Sequence, residues 1–317
     1  MASHESYSAV LREDSVKKAK DELNEKPEEN RSQLKQFTDW IQQERKWLTA
    51  PTDPIFLMSF LRVRKFSQLL ARETLVNYLT TREKEAEYFT KVDCDDIKIM
   101  TVLKSSFFLP MPKPDEHGRQ VCIIRPGQLD ISGKVFKIQD AFRAVFMILD
   151  FLLRDENVQV NGLIMVLDYT GVTMSHQSFA GEHRAKFLKL LTRTYPLRIK
   201  GILMYNVGPF MEILLGIMKS VLKEKIQKRL ETAPDMVTIY SKLGQSCLPL
   251  DYLPDDYSGD HSGTCKEIAD NLIKDLRKAE VKNWIAQLSP GNCKVDSKTM
   301  PARDELFREA FRKLNVE

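Results

Sequence analysis

The sequence predicts an α/β fold, in which an all-helical N-terminal domain is followed by a mixed β-sheet flanked by helices. Three observations lead to this prediction. Apolar residues recur at helical spacing up to about residue 93, short apolar runs bounded by Gly, Pro or Asp follow, and helical patterns separate those runs. Because strand and helix alternate there, the second part is typical of a sheet covered by helices.

The chain divides into four predicted parts. With 317 residues it is too long for one small core, and we expect about two domains. The parts are a charged, solvated lead-in (1–35), a helical domain (36–93), an α/β domain (94–255), and a C-terminal helix with a tail (256–317).

The N-terminal helices are predicted from apolar spacing and from caps. Residues 32–48 place apolar side chains about three and four positions apart, which indicates an amphipathic helix. Asp53 and Pro54 resemble a cap and a first-turn proline for a second helix over 55–66. Ser67 can cap a third helix that follows it.

The α/β domain is predicted from short apolar runs that are typical of strands buried on both faces. These runs are 121–125, 163–167 and 199–207. Helical patterns cover 139–155 and 182–196, between the runs, and a single further helix is predicted over 265–288.

Composition argues against several classes of protein. Lys plus Arg total 48 and Asp plus Glu total 44, so net charge gives no reason to expect nucleic acid as a partner. The five cysteines lie far apart without a CxxC pair, and we expect no disulfide framework, no metal and no cofactor. The N-terminus has no apolar signal core, which indicates a cytoplasmic protein. Because Asn206, Gly208 and Pro209 interrupt the apolar run at 201–218, we expect no membrane span there.

Catalytic motifs are missing, and we expect a protein that is not an enzyme. The sequence has no phosphate-binding GxxxxGKS or GxxxxGKT loop, no GxGxxG, no GxSxG elbow and no HExxH. Ser175 and His176 lie near Asp168, but adjacent residues rarely present their side chains as a nucleophile and base. Capping or core hydrogen bonding is the favoured role for all three.

Residues 208–230 join an apolar helical segment to a cationic one. A continuous helix from Phe210 to Ile226 has an apolar arc on the order of 200°, about twice that of a typical surface helix. Such a helix is either buried on two sides or a lid, with one stripe over an apolar cavity and the other toward solvent or a membrane. The stripe that includes Phe210, Leu214 and Ile217 is the candidate cavity face.

Four cations flank this segment. Arg198 and Lys200 are two residues apart at a strand start, so both project from one side. Lys225 and Arg229 are four apart and are predicted to share a helix face. Convergence of the four would suit phosphate groups and anionic lipid headgroups. The alternative is an ordinary solvated cationic face.

Several segments together resemble the CRAL-TRIO lipid-transfer family, especially its branch of tocopherol and retinaldehyde carriers. The resemblance runs from about Pro51 to Leu276. The segments that carry it are "FLRVRKF" (60–66), "DAFRAVFMILDFLL" (140–153), "NGLIMVLDYTGVTMSH" (161–176), "YPLRIKGILMYNVGPF" (195–210), "MKSVLKEKIQKRL" (218–230) and "LPLDY" (248–252).

The resemblance implies a sheet domain that holds one lipophilic molecule under a mobile lid helix, near residues 208–222. It also implies a phosphoinositide-binding patch made of Arg64, Arg198, Lys200, Lys225 and Arg229. By alignment with the family, the ligand pocket includes Ile124, Phe142, Val145, Phe146, Leu149, Leu163, Leu167, Phe187, Leu190, Leu191 and Ile202, to which the lid adds Phe210, Leu214 and Ile217.

The favoured hypothesis is a cytoplasmic carrier for a retinoid, tocopherol, carotenoid or similar isoprenoid lipid. Its expected partners are that ligand and, peripherally, a phosphoinositide-containing membrane surface. A phosphatidylinositol carrier on the same fold is the alternative, and it predicts polar groups inside the pocket. A hydrolase is a third hypothesis, which the missing motifs disfavour.

Overall fold

The structure is a computed structural model that describes residues 6–208 and 211–301, without the side chains of residues 211, 212, 214, 218 and 219. Its helices are α1 (Glu13–Leu23), α2 (Asn30–Gln43), α3 (Pro54–Val63), α4 (Gln68–Lys84), α5 (Ile97–Lys104), α6 (Ile138–Leu152), α7 (Glu156–Asn161), α8 (Met174–Ala180), α9 (His183–Arg193), α10 (Met211–Val221), α11 (Glu224–Gln227), α12 (Met236–Leu243), α13 (Cys265–Leu276) and α14 (Ala279–Gln287). Its strands are β1 (Leu48–Thr49), β2 (Phe108–Pro110), β3 (Gln120–Ile124), β4 (Leu163–Asp168), β5 (Ile199–Tyr205), β6 (Leu230–Ala233) and β7 (Lys294–Val295).

A five-stranded mixed sheet forms the centre, in the order β2-β3-β4-β5-β6. The strands from β3 to β6 pair in parallel, and β2 pairs with β3 antiparallel. The three apolar runs correspond to β3, β4 and β5, which confirms the predicted α/β class. A separate antiparallel pair joins β1 to β7.

The two edge strands were not predicted, and their sequences explain why. Strand β6 has four residues, and its central Glu231 and Thr232 are exposed, so it lacks the continuous apolar run of a buried strand. Strand β2 has three residues and ends in Pro110, which is tolerated at a sheet edge because its missing N–H is not needed by a neighbour.

Side chains of the central strand alternate between two apolar cores. From β4, Leu163, Met165 and Leu167 join the larger core, which also contains buried residues of α2, α3, α4 and α6. Ile164 and Val166 join a smaller core on the other face, against α12 and α13. Since successive strand residues point to opposite faces, β4 is covered on both sides, as its continuous apolar sequence predicts.

The predicted caps of the N-terminal helices are confirmed. The side chain of Asp53 accepts a hydrogen bond from the Phe56 backbone N–H at 3.0 Å, and Pro54 opens α3. The Ser67 hydroxyl accepts from the Leu70 backbone N–H at 3.5 Å at the start of α4. These caps satisfy N–H groups that have no partner within the helix.

The N-terminal lead-in differs from the solvated segment that we expected. Helix α1 buries Leu23, and Glu25 follows it into the interior. The Arg62 guanidinium pairs with the Glu25 carboxylate at 2.8 Å and with the Glu156 carboxylate at 2.9 Å, and all three side chains are buried. The charges of the lead-in are therefore partly structural.

Two helices that the periodicity predicts as continuous are broken. The helix predicted from Phe210 to Ile226 ends at Val221, and Lys223 has extended backbone before α11 begins. Extended backbone at Lys278 likewise separates α13 from α14. Apolar spacing does not detect such breaks when ordinary helix-forming residues occupy them. Among the described residues, no helix combines the length and apolar character that a membrane span requires.

Candidate functional site

A cavity of about 110 Å³ lies between one face of the sheet and helices α6, α8, α9 and α10. Its walls are mostly aliphatic and aromatic. The lining residues are Phe107, Ile124, Pro126, Leu129, Ile138, Phe142, Met165, Leu167, Tyr169, Val172, His176, Gln177, Phe179, Ala180, Arg184, Phe187, Leu188, Leu191, Ile202 and Ile217.

The floor and one side of the cavity follow from strand and helix periodicity. Ile124, Leu167 and Ile202 come from β3, β4 and β5 and point to the same face of the sheet. Phe142 of α6 stacks on Phe187 of α9, with ring centroids 4.5 Å apart and planes tilted by 15°. Aromatic and aliphatic walls of this kind suit an apolar ligand.

Helix α10, which we call the lid helix, closes another side. It contributes Ile217 to the cavity and packs against α9. The Arg193 guanidinium of α9 donates to the Val221 carbonyl at 3.0 Å, at the end of the lid helix. One turn earlier in the same helix, 52% of Ile213 is exposed. The lid helix therefore has one apolar side chain toward the cavity and another toward solvent.

The predicted pocket residues fall into three groups. Those that line the cavity are Ile124, Phe142, Leu167, Phe187, Leu191, Ile202 and Ile217. Those buried in the surrounding core, outside the cavity lining, are Val145, Phe146, Leu149, Leu163 and Leu190. Phe146, for example, stacks on Tyr195 with centroids 5.5 Å apart. Phe210 lies outside the described residues, as does the side chain of Leu214.

Sequence reasoning missed a polar part of the lining, formed by His176, Gln177 and Arg184, which we call the polar wall. His176 Nδ1 accepts from the Thr173 backbone N–H at 3.1 Å, and burial lowers the pKa of the ring. Arg184 Nη2 donates to the Gln177 carbonyl at 3.0 Å, and burial also lowers its pKa. Burial raises the pKa of the adjacent Tyr169 to about 12. The sequence signal that could have indicated this polar wall is the capping pattern, in which Thr173 lies three residues before His176.

Ser175, His176 and Asp168 do not form a catalytic relay. The Asp168 carboxylate accepts from the Thr170 N–H at 2.9 Å and from the Thr170 hydroxyl at 2.6 Å, and its other oxygen accepts from Tyr252. Because His176 Nδ1 is engaged by Thr173, it does not receive the orienting carboxylate contact that a triad requires.

Two of the predicted patch cations converge on an acid that sequence reasoning missed. Lys200 Nζ lies 2.9 Å from Glu22 Oε2, and Arg198 Nη2 pairs with the same oxygen. The hydrogen bond from Lys200 and then the one from Arg198 lower the pKa of Glu22 to about 2. Burial lowers the pKa of Lys200, and the nearby charges of Arg198 and Arg229 act in the same direction.

The other patch residues are placed differently. Arg229 donates to the Ile199 carbonyl of β5, so Arg198, Lys200 and Arg229 form one basic cluster. Lys225 is exposed on α11, and because α11 ends at Gln227, the prediction that Lys225 and Arg229 share a helix face is wrong. Arg64 follows α3, where its Nε donates to the Thr74 hydroxyl at 2.6 Å.

Comparison with known proteins gives the family. The family model described as "CRAL/TRIO domain" matches residues 104–259. The human protein "Alpha-tocopherol transfer protein-like" is 34% identical over 248 residues, which cover 78% of this chain and 71% of that protein. Clavesin-1 of Xenopus laevis is 27% identical over 255 residues, covering 77% and 74%. The solved structure "Crystal structure of Sfh5" aligns with 84% of this chain and 100% of its own, with a TM-score of 0.49 and 14% identity. On the family match and the human relative together, the chain belongs to the CRAL-TRIO family.

Proposed function

We propose that this chain is an intracellular, non-enzymatic carrier that binds one isoprenoid-type lipid, such as a retinoid, tocopherol or carotenoid, and exchanges it at phosphoinositide-containing membranes. The observation that carries the proposal is the apolar cavity between the sheet and the lid helix. The similarity to a tocopherol transfer protein-like relative supports the choice of ligand class.

The cavity has to widen to hold such a ligand. Its volume of about 110 Å³ is below the roughly 300–1,000 Å³ that is typical of ligand pockets. Burial of a lipid tail is worth on the order of 25 cal/mol per Å² of apolar surface, which is available to offset movement of the walls. We propose that the lid helix is the wall that moves, because it carries the exposed Ile213 beside the cavity-lining Ile217 and ends just before the extended backbone of Lys223.

The basic cluster supports membrane exchange. Arg198, Lys200 and Arg229 lie together beside β5, which follows α9, the helix that packs against the lid helix. Each cation near an anionic bilayer contributes about 1 kcal/mol to binding. If contact with the bilayer favours the open state of the lid helix, the bilayer shifts the population toward release.

Lipid extraction tests the proposal directly. The full chain is purified from its native source, extracted with organic solvent, and analysed by absorption and mass spectrometry. We expect one isoprenoid lipid per chain. Extraction of phosphatidylinositol alone would contradict the proposal in favour of the second candidate below, and extraction of no lipid at any stoichiometry would contradict both.

A phosphatidylinositol carrier is the second candidate, and the polar wall favours it. His176, Gln177 and Arg184 are the kind of polar groups that a headgroup needs inside a cavity. The remaining walls are apolar, which leaves little polar surface for an inositol ring. We therefore keep the isoprenoid carrier as the conclusion.

A further inference from the structure

We infer that the lipid in this cavity carries a carboxylate at one end, and that Arg184 and His176 of the polar wall bind it. The inference rests on the proposed carrier function and specifies its ligand further. It starts from Arg184, which lines a mostly apolar cavity and has no acidic partner among the side chains that the structure describes.

Arg184 is half-buried, and its Nη2 donates to the Gln177 carbonyl at 3.0 Å. Among the residues whose side chains the structure describes, no carboxylate forms an ion pair with its guanidinium. The fully buried Arg62 and Arg82, in contrast, each have carboxylate partners within 2.9 Å. A cation in an apolar wall is costly unless an acceptor compensates it. The lowered pKa of Arg184, which burial causes, agrees with this missing compensation.

His176 supplies a second donor at the same wall. Its Nδ1 accepts from the Thr173 backbone N–H at 3.1 Å, so in the neutral ring the proton is on Nε2, which can donate. The lowered pKa of His176 favours this neutral form. The side-chain oxygen of Gln177 is buried without a hydrogen-bond partner among the described residues, so the hydrogen bonding of the polar wall is incomplete.

Two donors, one of them charged, select an acceptor that is negatively charged. A carboxylate has two oxygens and can accept from a guanidinium and an imidazole together. The rest of the lining, including Phe187, Leu191 and Ile202, suits a long apolar tail. The arrangement therefore fits a head-and-tail lipid whose carboxylate lies at the polar wall and whose tail lies over β4 and β5.

The test uses cis-parinaric acid and its methyl ester as fluorescent probes with the full chain. We expect the wild type to bind the acid at least about tenfold more tightly than the ester, as a charge-assisted hydrogen bond implies. Arg184→Met should remove this preference and retain affinity for the ester. Lys189→Met, at an exposed position of the same helix, is the matched control and should keep the preference.

The outcomes separate the inference from the proposed function. If the wild type binds acid and ester equally, or Arg184→Met keeps the preference, the carboxylate inference is wrong while a carrier function stands. If neither probe binds the wild type, both fail. If phosphatidylinositol displaces the acid far better than unlabelled acid does, the bound oxyanion is a phosphate and the inference is overturned. Retained ester binding shows that Arg184→Met is folded.

A different observation supports a second inference. We infer that Glu22 competes with membrane headgroups for the basic cluster and thereby restricts which lipids bind there. Lys200 and Arg198 both contact Glu22 Oε2, so an internal carboxylate already occupies the position that a lipid phosphate would take. This inference rests on the proposed membrane docking.

Displacement of Glu22 should favour lipids with phosphomonoester groups. Such a group carries about −1.5 to −2 charges near pH 7, whereas the phosphodiester of other lipids carries a single charge, as Glu22 does. A lipid headgroup with a single negative charge therefore binds the basic cluster little better than the Glu22 carboxylate that it displaces. A doubly charged group gains more from Arg198, Lys200 and Arg229 together.

Vesicle sedimentation tests this role of Glu22. We expect Glu22→Gln to bind vesicles that contain phosphatidylserine severalfold more tightly than the wild type does, with a smaller gain on vesicles that contain phosphatidylinositol 4,5-bisphosphate. Asp21→Asn changes the same charge at an exposed neighbouring position and should match the wild type. Equal binding by Glu22→Gln and Asp21→Asn would refute the competition. If Arg198→Glu with Lys200→Glu binds both vesicles as the wild type does, membrane docking through this cluster fails as well.

Discussion

At the scale of single residues, the charges of the N-terminal lead-in have two distinct roles. Glu25 is buried against Arg62, whereas Glu22, three residues earlier, holds Arg198 and Lys200 near the surface. Sequence reasoning could not distinguish them, since their partners lie far along the chain. The separation of Glu22 from Arg198, for example, is 176 residues.

Glu25→Gln should destabilise the fold strongly. The change leaves the buried Arg62 guanidinium short of one of its carboxylate partners, and breaking a buried ion pair costs about 3–5 kcal/mol. Urea unfolding measures the change. Glu29→Gln removes an exposed ion pair with Lys26 and should leave the free energy of unfolding nearly unchanged. Similar unfolding midpoints for the two variants would contradict the structural role of Glu25.

The contribution of Glu22 to stability should depend on pH. Its pKa is lowered in the folded state from 4.5 to about 2, so its ion pairs stabilise the fold above about pH 4.5, and this contribution is lost as pH falls toward 2. Thermal unfolding of the wild type and Glu22→Gln at several pH values measures it. We expect the melting temperatures to differ at pH 6 and to converge as the pH falls to about 2 and below, where Glu22 becomes protonated in the folded state as well. A difference that persists unchanged to pH 2 would be incompatible with the ion pairs.

At the scale of elements, most of the fold could be predicted from the spacing of apolar residues. Long periodic segments and continuous apolar runs correspond to α3, α4, α6 and α9 and to β3, β4 and β5. The misses were the short edge strands, the helix breaks, and the short helices α5, α7, α8 and α12. At Lys223 and Lys278 the backbone leaves the helical conformation, although neither residue is itself a helix breaker, so the sequence gives no local signal.

Two isoleucines of the lid helix should respond differently to the same substitution. Ile217→Trp adds volume at the cavity, and overpacking of about 1–3 kcal/mol should weaken binding of an apolar fluorescent lipid by about tenfold or more. Ile213→Trp adds the same volume at an exposed position one turn away and should bind the lipid as the wild type does. Fluorescence titration of both variants measures this. Equal affinities would argue against a ligand beneath the lid helix.

At the scale of the whole molecule, the site depends on contacts that the sequence pattern did not contain. Resemblance and strand periodicity selected Arg198 and Lys200, but the acid between them comes from α1, outside the α/β domain. Several apolar residues selected for the pocket are buried in the core instead, because α6 packs the N-terminal helices as well as the cavity. Apolar character alone does not distinguish these two environments.

Charge reversal at the basic cluster should weaken membrane binding without affecting ligand occupancy. Replacing two cations, each worth about 1 kcal/mol, with two anions should lower vesicle partitioning of Arg198→Glu with Lys200→Glu by roughly thirtyfold or more at low salt. Lys266→Glu with Lys278→Glu makes the same charge change on exposed side chains of the C-terminal region and serves as the control. Sedimentation with phosphoinositide vesicles gives the result. Equal loss in both double variants would show that only total charge matters.

Because the side chains of β4 alternate between two cores, the cavity can expand on one face of the sheet only. One face of the sheet is held by α12 and α13, so the strands cannot bow away from an incoming ligand. Any expansion of the cavity must then come from movement of α8, α9 and the lid helix. Hydrogen exchange should report this asymmetry: ligand binding should change protection in those helices, while the amides of β3, β4 and β5 exchange at unaltered rates. The sheet would keep its position, and only the helices on the cavity side would be displaced.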